Sequence, residues 1–192
     1  MEKDKIASRF KVLIIGGSAG SLEVLMQVLP QLNAIANFSV VIILHRKSGE
    51  DTTLEELLAL KTVIPLQEVE DKTPLLPGYM YIAPSDYHLL FERDYTLSLD
   101  ISEKINYSRP SIDVAFESAA DIYREGLAAI LLSGANADGT NGVIAIQKAG
   151  GKVVIQNPES AEMPYMPQSA INRLAADYIL DIKEIAEFIN SI

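Results

Sequence analysis

KVLIIGGSAGSLEVL, residues 11–25, joins an apolar run directly to a glycine-rich turn and then to a segment with helical spacing. Residues 12–15 predict a buried strand, and the glycines that follow allow only a tight turn. The apolar residues of the next segment recur at i, i+3, i+4 and i+7, which predicts a helix. They are Leu22, Leu25, Met26 and Leu29. A strand that turns at once into a helix is the opening unit of an α/β fold.

The same alternation continues along the chain. Residues 40–44 (VVIIL) and 127–132 (LAAILL) are uniformly apolar, as in strands of a parallel sheet that is covered on both faces. Helical spacing separates such runs, so the sequence predicts a doubly wound α/β fold. Further strands are predicted at 64–69, 152–156 and 178–180, and further helices at 53–61, 112–123, 142–148, 168–174 and from 182 onward.

Between residues 74 and 101 the spacing changes to period two. Residues 95–101 read YTLSLDI, in which polar and apolar residues alternate strictly, and turn residues separate this run from its neighbours. We therefore expect an antiparallel hairpin or small meander over residues 74–101, inserted at an edge of a mostly parallel sheet. His88 lies in this insertion and is predicted to be structural. The whole chain, residues 1–192, is predicted to be one domain.

Composition and charge exclude several classes of function. The 26 acidic and 16 basic residues give a net charge of −10, which opposes binding to nucleic acid. No apolar run approaches the roughly 20 residues that cross a bilayer, and the N-terminal segment lacks a secretory signal, so we expect a cytoplasmic protein without membrane insertion. With no cysteine and two histidines, the sequence predicts no disulfide, no cysteine nucleophile and neither a thiolate nor a multi-histidine metal site.

Three polar side chains follow apolar strands, where α/β folds place their ligand sites. Ser18 follows the first strand, His45 the second, and Asp138 lies in the glycine loop after residues 127–132. A serine hydroxyl becomes a nucleophile when an imidazole accepts its proton, and a carboxylate orients that imidazole. The turn GGSAG also fits the letters of the G-x-S-x-G nucleophile turn. The three residues together indicate a hydrolase triad.

Simpler interpretations exist for each residue. Ser18 could be a helix N-cap instead of a nucleophile, His45 a surface histidine, and Asp138 a turn residue. Dinucleotide binding is a minor hypothesis, because Ser18 and Ser21 occupy two of the positions of the G-x-G-x-x-G glycines and His45 replaces the acidic residue after the second strand.

Six blocks in order resemble the catalytic domain of the chemotaxis-specific protein-glutamate methylesterases, the CheB family. The resemblance covers nearly the whole chain. The blocks are GGSAG (16–20), Leu44-His45, PGYMYIAP (77–84) with His88, RPSIDVAF (109–116), LSGANADG (132–139) and Met166-Pro167.

The resemblance implies hydrolysis of glutamate γ-methyl esters on chemoreceptors and deamidation of certain glutamines. It implies Ser18 as the nucleophile, His45 as the general base and then acid, and Asp138 as the orienting carboxylate. It places oxyanion or substrate-binding amides at Ala19 and Ala135. It implies no metal or cofactor.

Several positions near the site depart from the family pattern. They are Ala19, Ser21, Arg46, Lys47 and Tyr165. Of these, Arg46 and Lys47 predict a basic rim that meets an acidic segment of the receptor. Family members commonly carry an N-terminal receiver domain, for which residues 1–11 leave no room, so we expect control by a separate chain, or a stand-alone or excised domain. Two alternatives stay open: a triad hydrolase with another signalling substrate, and a non-catalytic docking module.

Overall fold

The computed structural model describes residues 10–46 and 53–192, and its centre is a seven-stranded sheet. All strand pairs in this sheet are parallel. The strands are β1 (Val12–Gly17), β2 (Ser39–Leu44), β3 (Leu66–Glu68), β5 (Met80–Ile82), β8 (Leu127–Leu131), β9 (Lys152–Gln156) and β10 (Tyr178–Leu180). They lie side by side in the order β10-β9-β8-β1-β2-β5-β3.

Helices cover both faces of this sheet. They are α1 (Ser21–Val28), α2 (Thr53–Ala59), α3 (Ile112–Tyr123), α4 (Thr140–Lys148), α5 (Tyr165–Ile171) and α6 (Ile182–Ser191). One face of β1, which includes Val12 and Ile14, packs under α3, α4 and α5. The alternate residues Leu13 and Ile15 pack under α1, α2 and α6. Both faces of the strand are thus shielded from water, which explains why the predicted strands are apolar at every position.

The order of the strands creates a switch point beside β1. From β1 the chain builds the sheet outward on one side through β2, and it later returns to pair β8 with the other side of β1. In open α/β sheets the crevice beyond the carboxyl ends of such strands is the usual ligand site. The fold class predicted from the sequence is confirmed. Among the described residues, no helix is long and apolar enough to cross a membrane.

The antiparallel insertion is smaller than predicted. A separate sheet has the order β4-β7-β6 and consists of β4 (Thr73–Pro74), β6 (His88–Phe91) and β7 (Thr96–Asp100). It packs on α3 through buried residues such as Leu89 and Leu97. Residues 80–82, expected in this insertion, instead form β5 of the parallel sheet. All three are buried, so the strand has the uniform burial of a central strand and not the alternation of a hairpin.

The buried stripe of α1 is also rotated from the predicted one. Leu22 is exposed, whereas Ser21 and Val24 are buried with Leu25 and Val28. Both stripes have helical spacing and both contain Leu25, so periodicity alone could not separate them. The tight packing of Ser21 beneath Gly17 selects the second stripe.

Candidate active site

The three predicted triad residues meet at the carboxyl ends of neighbouring strands. Gly17, the last residue of β1, pairs with Leu44, the last residue of β2. Ser18 and His45 directly follow this pair, and the His45 amide donates to the Gly17 carbonyl at 3.1 Å. Asp138 enters from the loop that follows β8 on the opposite side of β1. The parallel register therefore brings His45 next to Ser18, 27 positions before it in the sequence, and next to Asp138, 93 positions after it.

A continuous line of hydrogen bonds joins the three side chains. The Ser18 Oγ lies 3.2 Å from Nδ1 of His45, and Nε2 of His45 lies 2.7 Å from Oδ2 of Asp138. With Nε2 donating its proton to the carboxylate, Nδ1 carries the lone pair that faces the serine hydroxyl. The geometry is that of a nucleophile, a base and an orienting acid.

The Asp138 carboxylate is fully buried and receives six hydrogen bonds. Two of them come from the first turn of α3, where the amides of Ile112 and Asp113 donate at 2.7 and 3.0 Å. The carboxylate thus lies at the positive end of a 12-residue helix, a favourable place for an anion. The remaining donors are His45 Nε2, Asn106 Nδ2, Ser111 Oγ and the Gly139 amide.

These contacts keep the buried carboxylate ionised. Burial by itself raises the pKa of Asp138, but the hydrogen bonds from His45, Ile112, Asp113 and Asn106 outweigh it, so the pKa lies below its usual value. The neighbouring Asp113 is different, because burial and the charge of Asp138 raise its pKa. The carboxylate that faces the imidazole is therefore the one held as an anion.

The turn that carries Ser18 is held by two hydrogen bonds to Ser133. The Ser18 amide donates to the Ser133 carbonyl at 2.9 Å, and the Ser133 hydroxyl donates to the Ala19 carbonyl at 2.8 Å. Ser133 is held in turn by Gln156 at the end of β9, whose Oε1 accepts from the Ser133 amide at 2.8 Å. Both supporting residues are fully buried. The serine turn is thus tied to two further strand ends.

Ala19 and Ala135, the predicted oxyanion or substrate-binding positions, are both exposed beside this turn and the loop after β8. Within residues 10–46 and 53–192, no hydrogen bond involves the amide of either residue. Their role as oxyanion donors stays a prediction. In the same ranges, no group of three or more carboxylate or imidazole side chains is placed to hold a metal ion.

The sequence model of the family described as CheB methylesterase matches residues 13–189. The chain belongs to this family. A protein of Leptospira interrogans is 39% identical over 178 residues, which cover 93% of this chain and 92% of that protein. The protein-glutamate methylesterase/protein-glutamine glutaminase of Thermotoga maritima is 33% identical over 92% of this chain and 52% of that protein, so the chain spans about half its length.

The solved structures give the same result. The crystal structure of the Thermotoga maritima CheB methylesterase catalytic domain matches with a TM-score of 0.89 and 32% identity, over 94% of this chain and 97% of that one. The resemblance inferred from the six sequence blocks is confirmed at the level of the family and the fold.

Gly20 of this CheB-family domain is expected to tolerate no side chain. Its φ is +81°, and an added Cβ would lie 2.6 Å from the Ser133 Oγ and 2.8 Å from the Glu162 Cβ. The left-handed conformation alone costs about 1 to 2 kcal/mol for alanine. Gly20→Ala should therefore reduce the free energy of unfolding by more than that amount and also lower kcat, as measured by urea denaturation and by turnover.

Gly78→Ala is the matched control for this change. Gly78 has a similar φ of +88°, but its added Cβ would meet only the Ile35 carbonyl, at 3.4 Å. This variant should show the conformational cost alone, with kcat retained. Equal losses of stability in the two variants would contradict the argument from crowding at Gly20.

The prediction of a basic rim is wrong for Arg46. Only 10% of its side chain is exposed, and it forms an ion pair with the largely buried Glu55 and a second one with Glu68 at 3.2 Å. Its charge is thus compensated within the domain instead of being presented to a partner. Lys47 lies outside the described residues. Tyr165 is exposed at the start of α5, as expected for a rim residue.

Arg46→Ala is expected to lower stability by about 3 to 5 kcal/mol, because it leaves the Glu55 carboxylate without its ion-pair partner in a largely buried place. The salt dependence of turnover should stay that of the wild type. Denaturation curves and assays at several salt concentrations test both statements. Lys61→Ala, at an exposed lysine just after α2, is the control. A stability loss no larger than that of the control would refute the expectation.

Several residues of this site were not identified from the sequence. Ser111 is the N-cap of α3, directly before the helix predicted over residues 112–123, but its contact with Asp138 gave no signal in the sequence. Gln156 is a polar residue at the carboxyl end of a strand, as His45 is, so a search of all strand ends for polar residues would have identified it. Asn106 gave no signal, because it lies in an exposed turn that contacts Asp138 only after folding.

Proposed function

We propose that this domain is a serine hydrolase that removes methyl esters from glutamate side chains of a protein, and that it deamidates glutamine by the same route. The observation that carries the proposal is the line of hydrogen bonds from Ser18 through His45 to Asp138. Membership of the CheB methylesterase family supports the choice of ester. The substrate class is that in the name of the Thermotoga maritima relative, protein-glutamate methylesterase/protein-glutamine glutaminase.

The first half of the reaction forms an acyl-enzyme. Ser18 Oγ attacks the carbonyl carbon of the ester while its proton passes to Nδ1 of His45. The resulting imidazolium is stabilised by the anionic Asp138, which accepts the hydrogen bond from Nε2. When the tetrahedral intermediate collapses, His45 returns the proton to the methoxy oxygen and methanol leaves. With a glutamine side chain, the proton goes to the amide nitrogen and ammonia leaves.

The second half of the reaction regenerates the serine. Water attacks the Ser18 ester, His45 Nδ1 takes its proton, and that proton then passes to Ser18 Oγ as the glutamate carboxylate is released. In both halves an oxyanion forms on the substrate carbonyl. The exposed amides of Ala19 and Ala135 are the donors that we assign to it.

We further propose that the protein substrate is a chemoreceptor. The Ser18 turn is lined by small residues, and Ala19, Ala135 and Ala137 are all exposed. Such an open rim suits a glutamate side chain that projects from the surface of another folded protein. A deep pocket for a free small molecule would need walls that these alanines do not provide.

Release of methanol tests the proposal. The purified domain is incubated with the cytoplasmic fragment of a chemoreceptor whose glutamates carry radiolabelled methyl esters, and volatile label is counted over time. Time-dependent release by the wild type is expected. In parallel, a fluorophosphonate probe should modify one serine, which mass spectrometry should place at residue 18.

The two measurements separate the alternatives. Labelling of Ser18 without methanol release from any methylated receptor would indicate a triad hydrolase with another substrate. Neither labelling nor release would indicate a docking module that keeps the fold, and the proposed function would be wrong.

A further inference from the structure

We propose that His88, the second histidine of the chain, is a positioning residue that holds the donors of Asp138 in place for the proposed hydrolysis. It lies at the start of β6 in the small antiparallel sheet, and its ring hydrogen-bonds to Glu103 and Ser111, not to a triad residue. Its effect on them passes through Ser111 and through the loop that carries Asn106. The inference rests on the proposed function, since it concerns the same site.

Both ring nitrogens of His88 are used inside the protein. The ring is 1% exposed. Nδ1 accepts a hydrogen bond from the Ser111 amide at 3.1 Å, and Nε2 lies 2.9 Å from the Glu103 carbonyl. Because a carbonyl can only accept, Nε2 carries the proton and Nδ1 the lone pair. The two contacts thus fix one neutral tautomer and one ring orientation.

The first contact controls the beginning of α3. Ser111 is the N-cap of this helix, and its hydroxyl donates to Oδ1 of Asp138 at 3.0 Å. The next two amides in the chain, those of Ile112 and Asp113, donate to the same carboxylate. A shift of the Ser111 backbone would therefore displace three of the six donors of Asp138 together.

The second contact controls the loop before α3. Glu103 lies three residues before Asn106, whose side-chain amide donates to Asp138 at 3.1 Å and to Asp113 at 3.2 Å. Asn106 and Tyr107 both have positive φ and form the tight turn of a bridge between Ile105 and Ser108. The hydrogen bond from His88 Nε2 to the Glu103 carbonyl connects the start of this loop to β6.

Packing alone does not explain a histidine at this position. Leu89 and Phe91 of the same strand fill the core beneath α3, and both are apolar. A buried polar ring is costly unless its nitrogens are hydrogen-bonded, so a residue that served only to fill space would be better apolar. What His88 adds is one acceptor and one donor in a rigid ring, each directed at a segment that contacts Asp138.

Two variants separate these contacts. Asparagine places its side-chain oxygen near the position of Nδ1, so His88→Asn keeps an acceptor for the Ser111 amide and loses the reach to Glu103. Glutamine places its terminal group near the position of Nε2, so His88→Gln keeps a donor for Glu103 and leaves the Ser111 amide without its acceptor. Both variants replace a buried ring by a smaller amide, so their losses of stability should be similar.

The expected result is a difference in turnover between these two variants. Residues that orient the ligands of a catalytic metal typically contribute 10- to 100-fold to activity. By analogy, His88→Gln should lower kcat by about that factor with little change in KM, and His88→Asn should retain most of the wild-type kcat. Ser118→Ala is the control, since it removes the hydroxyl that accepts a hydrogen bond from the Phe91 amide, also between β6 and α3, and Ser118 makes no hydrogen bond to Ser111 or to the loop that carries Asn106. It should keep the kcat of the wild type.

A measurement without substrate keeps the inference separate from the proposed function. The proton between His45 Nε2 and Asp138 should give a downfield NMR signal in the wild type and in His88→Asn, and His88→Gln should shift or broaden it. Failure of the wild type to release methanol would count against the proposed function only. Equal turnover and equal NMR signals in the two His88 variants would overturn the positioning role.

Discussion

Ser18→Ala is expected to abolish ester hydrolysis, with kcat reduced by about 10⁶-fold, the loss found when a triad serine is removed. Of the three side chains in the hydrogen-bonded line, the Ser18 hydroxyl is the one placed to form a bond with the substrate, since Nδ1 of His45 and the carboxylate of Asp138 lie behind it. Without Oγ the imidazole has no proton to accept, and no acyl-enzyme forms. Hydrolysis would then depend on direct attack by water.

This variant should remain folded. The Ser18 side chain contacts His45 at the partly exposed mouth of the site, while the backbone contact that fixes the turn, from the Ser18 amide to the Ser133 carbonyl, does not involve the side chain. We expect a melting temperature close to that of the wild type and no labelling by fluorophosphonate. Methanol release by Ser18→Ala at a rate near that of the wild type would exclude the proposed mechanism.

Asp138→Asn has the second-largest expected effect, a loss of about 10⁴-fold in kcat. The amide that replaces Oδ1 or Oδ2 cannot stabilise an imidazolium, and it can present an N–H to Nε2, which would force the proton onto Nδ1, the atom that must accept from Ser18. The mutation also places an N–H group among six donors. Each donor left without an acceptor costs about 1 to 3 kcal/mol, so stability should fall as well.

Asp113→Asn provides the comparison for Asp138→Asn. Asp113 is a buried carboxylate in the same cluster and shares the donor Asn106, but its oxygens face Gly142, Asn141 and Asn106, away from the imidazole. Turnover at neutral pH and thermal melting are measured for both variants. A loss of kcat in Asp113→Asn as large as that in Asp138→Asn would show that a general disturbance of the cluster, and not the tautomer of His45, causes the effect.

The fold was predictable from the sequence where burial is uniform. The strands β1, β2 and β8 are apolar at nearly every position because both faces of the sheet are covered, and their ends place Ser18, His45 and Asp138 by a simple topological rule. β5 was assigned to the wrong sheet, because three buried residues between turns carry too little pattern to show which sheet they join.

The residues that support the triad were harder to predict from the sequence. Arg46 was predicted to be a rim cation, because a sequence shows a charge but not the carboxylates that lie beside it after folding. Asn106 and Ser111 act through single atoms that reach Asp138 across 32 and 27 residues. Only the folded backbone determines such contacts, and the side chains involved are ordinary turn and cap residues in the sequence.

The support of Asp138 by the first turn of α3 has a consequence for how this sequence can change over time. Three of the six donors, at Ile112, Asp113 and Gly139, are main-chain amides. At Ile112 and Asp113 the donor remains whatever the side chain, with proline as the one exception. Gly139 differs, because its φ of +90° and the nearby Leu131 and Ile112 side chains leave no room for a Cβ. The charge of the Asp138 carboxylate is therefore insulated from side-chain changes at Ile112 and Asp113, while it depends directly on Ser111, Asn106 and His45.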